Sequence, residues 1–251
     1  MGAHASVLRT SALGLVYSAA EYPTPAWCCS THAKKLFGAL NDTLHIISEC
    51  LKLTRKELLS VLSSIPPTHL RREHSTFKLA LQAQLNTNHL HHTLFHSAQF
   101  LGIQRLHSRS PFYRHAATLV NSGFNLLESW RAAWESATPQ GQFLVTPPVC
   151  LPSSSDLPRS LWVALNRLRT SVGRFGTCLY RWGIQDTSKC ICDAEEWSAK
   201  HIILDCNILR TLNCLEDLRY PDINNTKWLE DLVDLVWTAA HTQEAAGVWR
   251  K

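Results

Sequence analysis

Apolar side chains recur along most of this chain at intervals of three and four residues, the spacing that places them on one face of an α-helix. No segment shows the sustained alternation of apolar and polar residues that is typical of strands. The sequence therefore predicts a mainly α-helical protein. The predicted helices cover approximately residues 7–20, 31–50, 54–65, 67–85, 112–136, 161–172, 197–209 and 227–242.

Two of these segments carry apolar stripes from which we predict the buried face of each helix. In residues 7–20 the stripe is Leu8, Leu13, Val16 and Tyr17. In residues 67–85 it is Leu70, Phe77, Leu81 and Leu85.

The helical pattern stops between Thr138 and Pro158. This segment holds five prolines and a run of three serines, a composition typical of a linker. We therefore predict three parts: a helical domain in residues 1–137, a linker in residues 138–157, and a C-terminal part in residues 158–251. The last part would contain a basic helix, a small cysteine-containing module and a final helix.

The composition is that of a globular protein, with 45% hydrophobic and 18% charged residues in a chain of 251. No apolar run approaches the roughly 20 residues of a membrane-spanning helix. The nine cysteines are an odd number spread over a long chain, which argues against a disulfide framework. Residues 9–20 imitate a short signal peptide, but an amphipathic helix explains them as well. We expect an intracellular protein, nuclear or cytoplasmic, without a membrane partner.

The sharpest chemical signal is the spacing Cys190-x-Cys192-x8-His201-x4-Cys206. Three thiols and an imidazole form the four-coordinate donor set that structural zinc prefers. Because Cys206 would lie about 140° from His201 around an ideal helix, we predict that Cys206 lies where the helix distorts or ends. We also expect few core residues in this segment, so that bound metal would stabilise it. The alternative is that these are ordinary buried thiols beside a surface histidine.

Positive charge is concentrated in residues 157–185, which hold five arginines and no acidic residue. Arginines neutralise phosphate groups, and aromatic side chains stack on bases. The segment therefore predicts a nucleic-acid contact, and the alternative is a solvated helix face with buried aromatic residues. The candidate contact residues are Arg159, Arg167, Arg169, Arg174, Arg181 and Trp182.

A second group with ligand chemistry is formed by His89, His91, His92 and His96. We interpret these histidines as the solvated polar face of a helix rather than as a metal site. No arrangement of serine, cysteine and histidine matches a known nucleophile signature. We therefore predict no catalytic residues.

Several short motifs occur together in an order that is similar to one known family. Leu165-Asn166-Arg167-Leu168-Arg169-Thr170 is followed by Val172-Gly173-Arg174, by Trp182-Gly183 and by the Cys/Cys/His/Cys set. These motifs resemble the C-terminal region of non-LTR (LINE-type, jockey-like) retrotransposon reverse transcriptases. Upstream, Pro25-x-Trp27 and Leu70-Arg71-Arg72 resemble the helical thumb and connector that follow the polymerase palm. The resemblance implies a helical thumb-like bundle followed by a zinc-knuckle module that contacts RNA or DNA.

The chain also departs from this family pattern. Ser171 and Asp193 stand where the family has glycine, and Trp197-Ser198 replaces a Gln-Thr pair. No aromatic-x-Asp-Asp sequence occurs, although two-metal phosphoryl transfer needs convergent carboxylates. The RNA-directed DNA polymerase activity of the family is therefore not expected here.

We interpret the chain as a truncated retrotransposon fragment, not an enzyme, that binds RNA or DNA and zinc but no small-molecule substrate. One alternative is an α-helical protein-interaction module with no nucleic-acid role. Another is a retroelement remnant without a selected function. Salt-dependent binding separates the first two hypotheses, because phosphate contacts release counterions.

Overall fold

The fold is described by a computed structural model, which covers residues 2–92, 112–138, 145, 152–208, 215–220 and 226–233. In the N-terminal half the helices are Ala5–Ser11, Ala12–Tyr17, Ser18–Glu21, Thr24–Trp27, Ala33–Ser48, Lys56–Leu62 and Thr68–Leu85. They continue with Phe112–Asn121, Leu126–Ala137, Ser153–Asp156, Arg159–Thr170, Gly176–Arg181, Ala199–Leu204, Leu215–Leu218 and a helix at 226–233. No strand occurs among the described residues, and the predicted mainly α fold is confirmed. None of the helices in these ranges has the length and apolar character needed to cross a membrane.

The chain divides into two compact units, each built from segments that are far apart in sequence. Unit 1 comprises Met1–Arg9, Leu44–Ser64 and Thr138–Lys251, and unit 2 comprises Thr10–Thr43 and Ile65–Ala137. Unit 1 thus joins two stretches of the predicted first domain to the C-terminal half. In the predicted linker, residues 139–144 and 146–151 lie outside the described residues.

Tyr17 is a central side chain of unit 2. It is fully buried, and its hydroxyl donates a hydrogen bond to Leu40 O at 3.0 Å. The guanidinium of Arg71 lies over the Tyr17 ring, 5.1 Å from its centroid, and pairs with Glu21 through Nη2 and Oε2 at 2.7 Å. Burial raises the pKa of the Tyr17 hydroxyl, which therefore stays a neutral donor.

The predicted stripe in residues 7–20 is wrong at Val16, whose side chain is exposed. Ala12–Tyr17 forms a π-helical segment rather than an α-helical one. A π-helical turn contains more residues than an α-helical turn, so apolar residues spaced at α-helical intervals do not all fall on one face. In this segment Tyr17 is buried, whereas its neighbour Val16 is exposed.

The second predicted stripe is also wrong in part, because Leu81 and Leu85 are exposed. The buried face of the Thr68–Leu85 helix carries smaller side chains instead. They include Thr76, Ala80 and Ala83. Small side chains allow neighbouring helices to approach closely, and this helix packs against Phe112–Asn121 and Leu126–Ala137.

The centre of unit 1 is Arg159–Thr170, which we call the arginine-rich helix. Leu161, Leu165 and Leu168 of this helix join a buried apolar cluster. The cluster also contains Phe175, Cys178, Cys190, Ala199, Ile202, Ile203, Cys206, Leu218, Trp228, Leu229 and Leu232. The expectation that this part of the chain has few core residues is therefore wrong, because the short helices and the helix at 226–233 share one core.

The arginine-rich helix also satisfies the end of the Ala33–Ser48 helix, whose last carbonyl groups have no intrahelical partners. Three donors on one face, spaced by three and four residues, reach these carbonyls. They are Arg159 Nη1 to Ile47 O at 2.7 Å, Trp162 Nε1 to Ile47 O at 3.1 Å, and Asn166 Nδ2 to Ser48 O at 3.1 Å.

Candidate functional site

Cys190, Cys192, His201 and Cys206, which we call the Cys/His cluster, converge on one point in unit 1. Their ligand atoms all lie within 4.8 Å of one another. Cys190 Sγ and Cys206 Sγ are 3.9 Å apart, and Cys192 Sγ and His201 Nε2 are 3.1 Å apart. Two sulfur ligands bound tetrahedrally at about 2.3 Å from one ion would be separated by about 3.8 Å. The cluster therefore has the dimensions of a metal site and could hold a metal ion.

Cys190 and Cys192 are presented by a tight turn. The Asp193 N–H donates to Cys190 O at 3.0 Å, and the Cys190 N–H donates to Ala194 O at 2.9 Å. Asp193 has a φ of 66°, in the left-handed region that glycine adopts most readily and aspartate more readily than most residues. The turn thus has the backbone conformation for which glycine is best suited, with aspartate in its place.

His201 lies on the Ala199–Leu204 helix, and Cys206 is the second residue after the end of this helix. Ser198 caps the start of this helix, and its Oγ accepts a hydrogen bond from the His201 N–H at 3.2 Å. Cys206 lies beyond the end of the helix, where its N–H donates to His201 O at 2.8 Å. The prediction that Cys206 lies where the helix ends is confirmed.

Backbone pairing anchors the cluster to the Gly176–Arg181 helix. The Trp197 N–H donates to Ser188 O at 2.7 Å, and the Thr177 N–H donates to Trp197 O at 3.1 Å. A Cβ atom at Gly176 would lie 2.9 Å from both Ser188 O and Trp197 Cβ. Glycine is required at position 176 because a side chain would separate the two backbone segments.

The thiols of the cluster differ in burial and in pKa. Cys190 and Cys206 are buried, whereas Cys192 and His201 are half-buried. A hydrogen bond from the Ala194 backbone N–H, followed by contacts with His201 and the neighbouring thiols, lowers the pKa of Cys192 to about 7. Burial raises the pKa of Cys190 to about 11. A bound cation would favour the thiolate form of both side chains.

The structure does not bring the six predicted nucleic-acid contacts together. Arg169 is only 1% exposed. It donates to Leu218 O at 2.9 Å, to Ser154 Oγ at 3.0 Å and to Arg219 O at 3.3 Å. The prediction that Arg169 contacts a phosphate group is corrected, because unit 1 encloses its guanidinium and its own acceptors occupy the donors.

The other five predicted contact residues differ in how far their side chains are exposed and internally engaged. Arg159 is engaged internally with Ile46 O and Ile47 O. Arg174 and Arg181 are exposed, and Trp182 packs partly buried against the core of unit 1. Arg167 is half-buried, and burial together with the nearby Arg174 lowers its pKa.

The histidine cluster does not form a second metal site in the described part of the chain. His91 Nδ1 lies 2.9 Å from the Tyr113 hydroxyl, and His92 Nδ1 lies 2.9 Å from Ala83 O. These contacts satisfy polar atoms on the surface of unit 2. His96 lies outside the described residues.

Comparison of the chain with protein-family models, with curated proteins and with solved structures finds no match.

Proposed function

We propose that this chain corresponds to the C-terminal region of a non-LTR retrotransposon reverse transcriptase, that it binds zinc and that it contacts RNA or DNA. The observation that carries the proposal is the convergence of the Cys/His cluster. Its four residues are those whose spacing, Cys190-x-Cys192-x8-His201-x4-Cys206, predicts a zinc site. A chance set of thiols and histidine would have no reason to present four donor atoms to one point.

Zinc is the metal that suits these donors best. Thiolate sulfur and imidazole nitrogen select zinc over calcium or magnesium, which prefer oxygen ligands. Four protein donors complete a tetrahedral site, so no coordination position is left for a reactive water molecule. The zinc would therefore have a structural role, holding the turn at Cys190 against the helix that carries His201.

Ser171 and Asp193, which stand where the resembled family has glycine, give independent support to the resemblance. Ser171 has a φ of 53° and Asp193 a φ of 66°, both in the left-handed region. Glycine is favoured at such positions because it has no Cβ atom to clash with the backbone. A family with this backbone would therefore carry glycine at both positions, as the resembled family does.

The nucleic-acid contact is proposed for the arginines that can reach solvent. Arg167, Arg174 and Arg181, with Trp182, remain as candidates once the internally engaged arginines are removed. Guanidinium groups neutralise phosphates without reading sequence, so we expect binding that is broad in sequence and sensitive to salt.

We further propose a reducing intracellular compartment, nuclear or cytoplasmic. None of the seven described cysteines forms a disulfide bond. Metal-binding thiols must remain reduced, which is the usual state in these compartments.

Two measurements on the full chain test the proposed function. Elemental analysis of protein purified without chelator should give one zinc per chain. Fluorescence anisotropy with single-stranded RNA and DNA should show affinity that falls with added salt. Zinc well below one per chain would reject the metal assignment. Absence of nucleic-acid binding would instead favour a helical protein-interaction module.

A further inference from the structure

A pocket in unit 1 brings three of the predicted arginines to one place. Its volume is about 260 Å³, and its lining includes the charged side chains of Arg159, Arg167, Arg174 and Glu49. The lining also includes the apolar side chains of Leu168, Phe175, Leu232 and Val233. These residues come from separate segments of the chain, so their spacing in the sequence does not reveal the pocket.

The four charged residues of the lining carry a net positive charge of about two, from three guanidinium groups and one carboxylate. The Arg159 side chain is already occupied, because its Nε pairs with Glu49 Oε2 at 3.2 Å and Nη1 donates to Ile47 O. Arg167 differs, since its Nε is buried and has no hydrogen-bond partner among the residues described. This Nε is closed to solvent, so a ligand in the pocket would act on Arg167 through the charge of the whole guanidinium group rather than through this donor.

Arg174 adds a second positive charge close to Arg167, near enough to lower the pKa of Arg167. Two guanidinium groups that line one pocket repel each other, and an anion bound between them would attract both and offset this repulsion. Planar guanidinium groups match the geometry of phosphate oxygens. The charged residues of the lining therefore suit a phosphate group.

The apolar residues of the lining show that phosphate alone would leave most of the pocket unfilled. Ligand pockets generally combine an apolar lining with a few polar groups that orient the ligand. A volume of about 260 Å³ lies near the lower end for such pockets, which commonly measure roughly 300–1,000 Å³. This size suits one nucleotide and is too small for a base pair.

We propose that this pocket binds a single nucleotide, with its phosphate on Arg167 and Arg174 and its base or sugar against Leu168 and Phe175. The inference depends on the proposed nucleic-acid function only for the source of the nucleotide. That source is either a free nucleotide or an unpaired nucleotide within a single strand. Glu49 also lines the pocket, and its negative charge opposes phosphate binding.

The test compares four probes on the full zinc-containing chain by titration calorimetry: a nucleoside 5′-monophosphate, the matching nucleoside, inorganic phosphate and a single-stranded decanucleotide. The nucleotide should bind at least about tenfold more tightly than either of its halves, because only the nucleotide can contact both the charged and the apolar residues of the lining. Equal affinity for inorganic phosphate and the nucleotide would overturn the proposal.

Matched variants locate the binding. Arg167→Gln and Arg174→Gln should each weaken nucleotide binding by about tenfold, because each removes a charge-assisted contact. Val163→Phe should also weaken binding, since Val163 lines the pocket and a larger side chain would fill it.

The matched control is Arg55→Gln, which removes the same charge from an exposed position of unit 1 and should change binding less than twofold. Glu49→Gln should tighten binding. Zinc content and thermal unfolding verify that each variant is folded.

The outcomes separate the two proposals. If the decanucleotide binds but Arg167→Gln, Arg174→Gln and Val163→Phe match Arg55→Gln, the pocket inference is overturned and the nucleic-acid function stands. If the mononucleotide binds through the pocket but the decanucleotide does not bind, the pocket inference stands and the proposed nucleic-acid function is rejected. Binding of neither probe rejects both.

Discussion

The indole Nε1 of Trp162 donates a hydrogen bond to the carbonyl oxygen of Ile47 at 3.1 Å, between residues 115 positions apart. Asn166, one turn further along the arginine-rich helix, donates in the same way to Ser48 O. Buried carbonyl groups at a helix end must be satisfied by some donor. In unit 1 the arginine-rich helix supplies these donors, so its hydrogen-bonding side chains stabilise the fold.

Replacing Asn166 by leucine should therefore lower the free energy of unfolding by about 1–3 kcal/mol, because Ser48 O would remain buried without this donor. Urea denaturation followed by tryptophan fluorescence measures the change. Ser160→Ala alters an exposed position of the same helix and should change stability by less than about 0.5 kcal/mol. Equal effects of the two substitutions would show that the contact with Ser48 contributes nothing.

Arg169 should behave as a structural residue rather than as a nucleic-acid contact. Burial lowers its pKa to about 9, which still leaves it charged at neutral pH. Arg169→Ala should lower the free energy of unfolding by about 3 kcal/mol or more, since it opens a cavity and leaves the acceptors Leu218 O and Ser154 Oγ without this donor. Denaturation and oligonucleotide binding should both be measured. A stable Arg169→Ala variant with impaired binding would restore Arg169 as a surface contact.

The helices and the Cys/His cluster could be predicted because their signals are local in the sequence. Periodicity identified the helical segments, and the spacing from Cys190 to Cys206 contains a complete donor set. The end of the helix before Cys206 followed from helical geometry alone. Such features depend on residues within one or two turns of each other.

The roles of the arginines could not be predicted in the same way. Arg167 and Arg169 are two positions apart, yet one lines a pocket and the other is enclosed by carbonyl groups. Which face of the helix is buried depends on distant segments, including residues 44–64 and the helix at 226–233. Val16 was misjudged for a different reason, because a π-helical segment changes the periodicity on which the prediction depended.

Removing one ligand should release the metal from the Cys/His cluster. Cys192→Ser and His201→Ala should each reduce zinc from one per chain to a small fraction, because three protein donors cannot complete the closed site. Cys178→Ser and Cys29→Ser change thiols outside the cluster and should leave zinc unchanged. Elemental analysis after gel filtration measures the zinc. Full zinc in the Cys192→Ser variant would reject the assigned ligands.

Loss of zinc should loosen residues 186–210 and leave the rest of unit 1 folded. Cys190 and Cys206 belong to an apolar cluster that includes Leu165 and Leu229, which metal removal does not disturb directly. Hydrogen exchange in the presence and absence of a chelator should show protection lost mainly at the turn and the Ala199–Leu204 helix. Global unfolding on chelation would show instead that the metal is required for the whole core.

Zinc affinity should rise with pH, because zinc binds thiolates and displaces protons. In the metal-free protein the pKa of Cys192 is about 7 and that of Cys190 about 11. Between these values, binding releases at least the Cys190 proton, so affinity should rise by at least about tenfold per pH unit. Below pH 7 the Cys192 thiol is protonated as well, and affinity should fall by at least about 100-fold per unit. Competition with a chelating dye at pH 6, 7 and 8 measures the slope, and a flat profile would contradict it.

Ser171 ends the arginine-rich helix with a φ of 53° and a ψ of 24°, the left-handed conformation that commonly terminates helices. This conformation costs a non-glycine residue about 1–2 kcal/mol, whereas glycine adds some entropy to the unfolded chain. Ser171→Gly should therefore raise the free energy of unfolding by about 0.5–1 kcal/mol. Asp193→Gly should raise it less, since aspartate tolerates the left-handed region better than serine.

A matched glycine substitution tests whether the left-handed conformation is the cause. Ser160→Gly places glycine at an exposed position in the first turn of the same helix, where it should lower the free energy of unfolding by about a few tenths of a kcal/mol. The two substitutions make the same chemical change, so opposite signs can arise only from the backbone conformation at each position. If Ser171→Gly destabilises the protein as Ser160→Gly does, position 171 does not demand glycine. The support that Ser171 and Asp193 give to the retrotransposon resemblance would then be lost, while the zinc assignment, which depends on other residues, would stand.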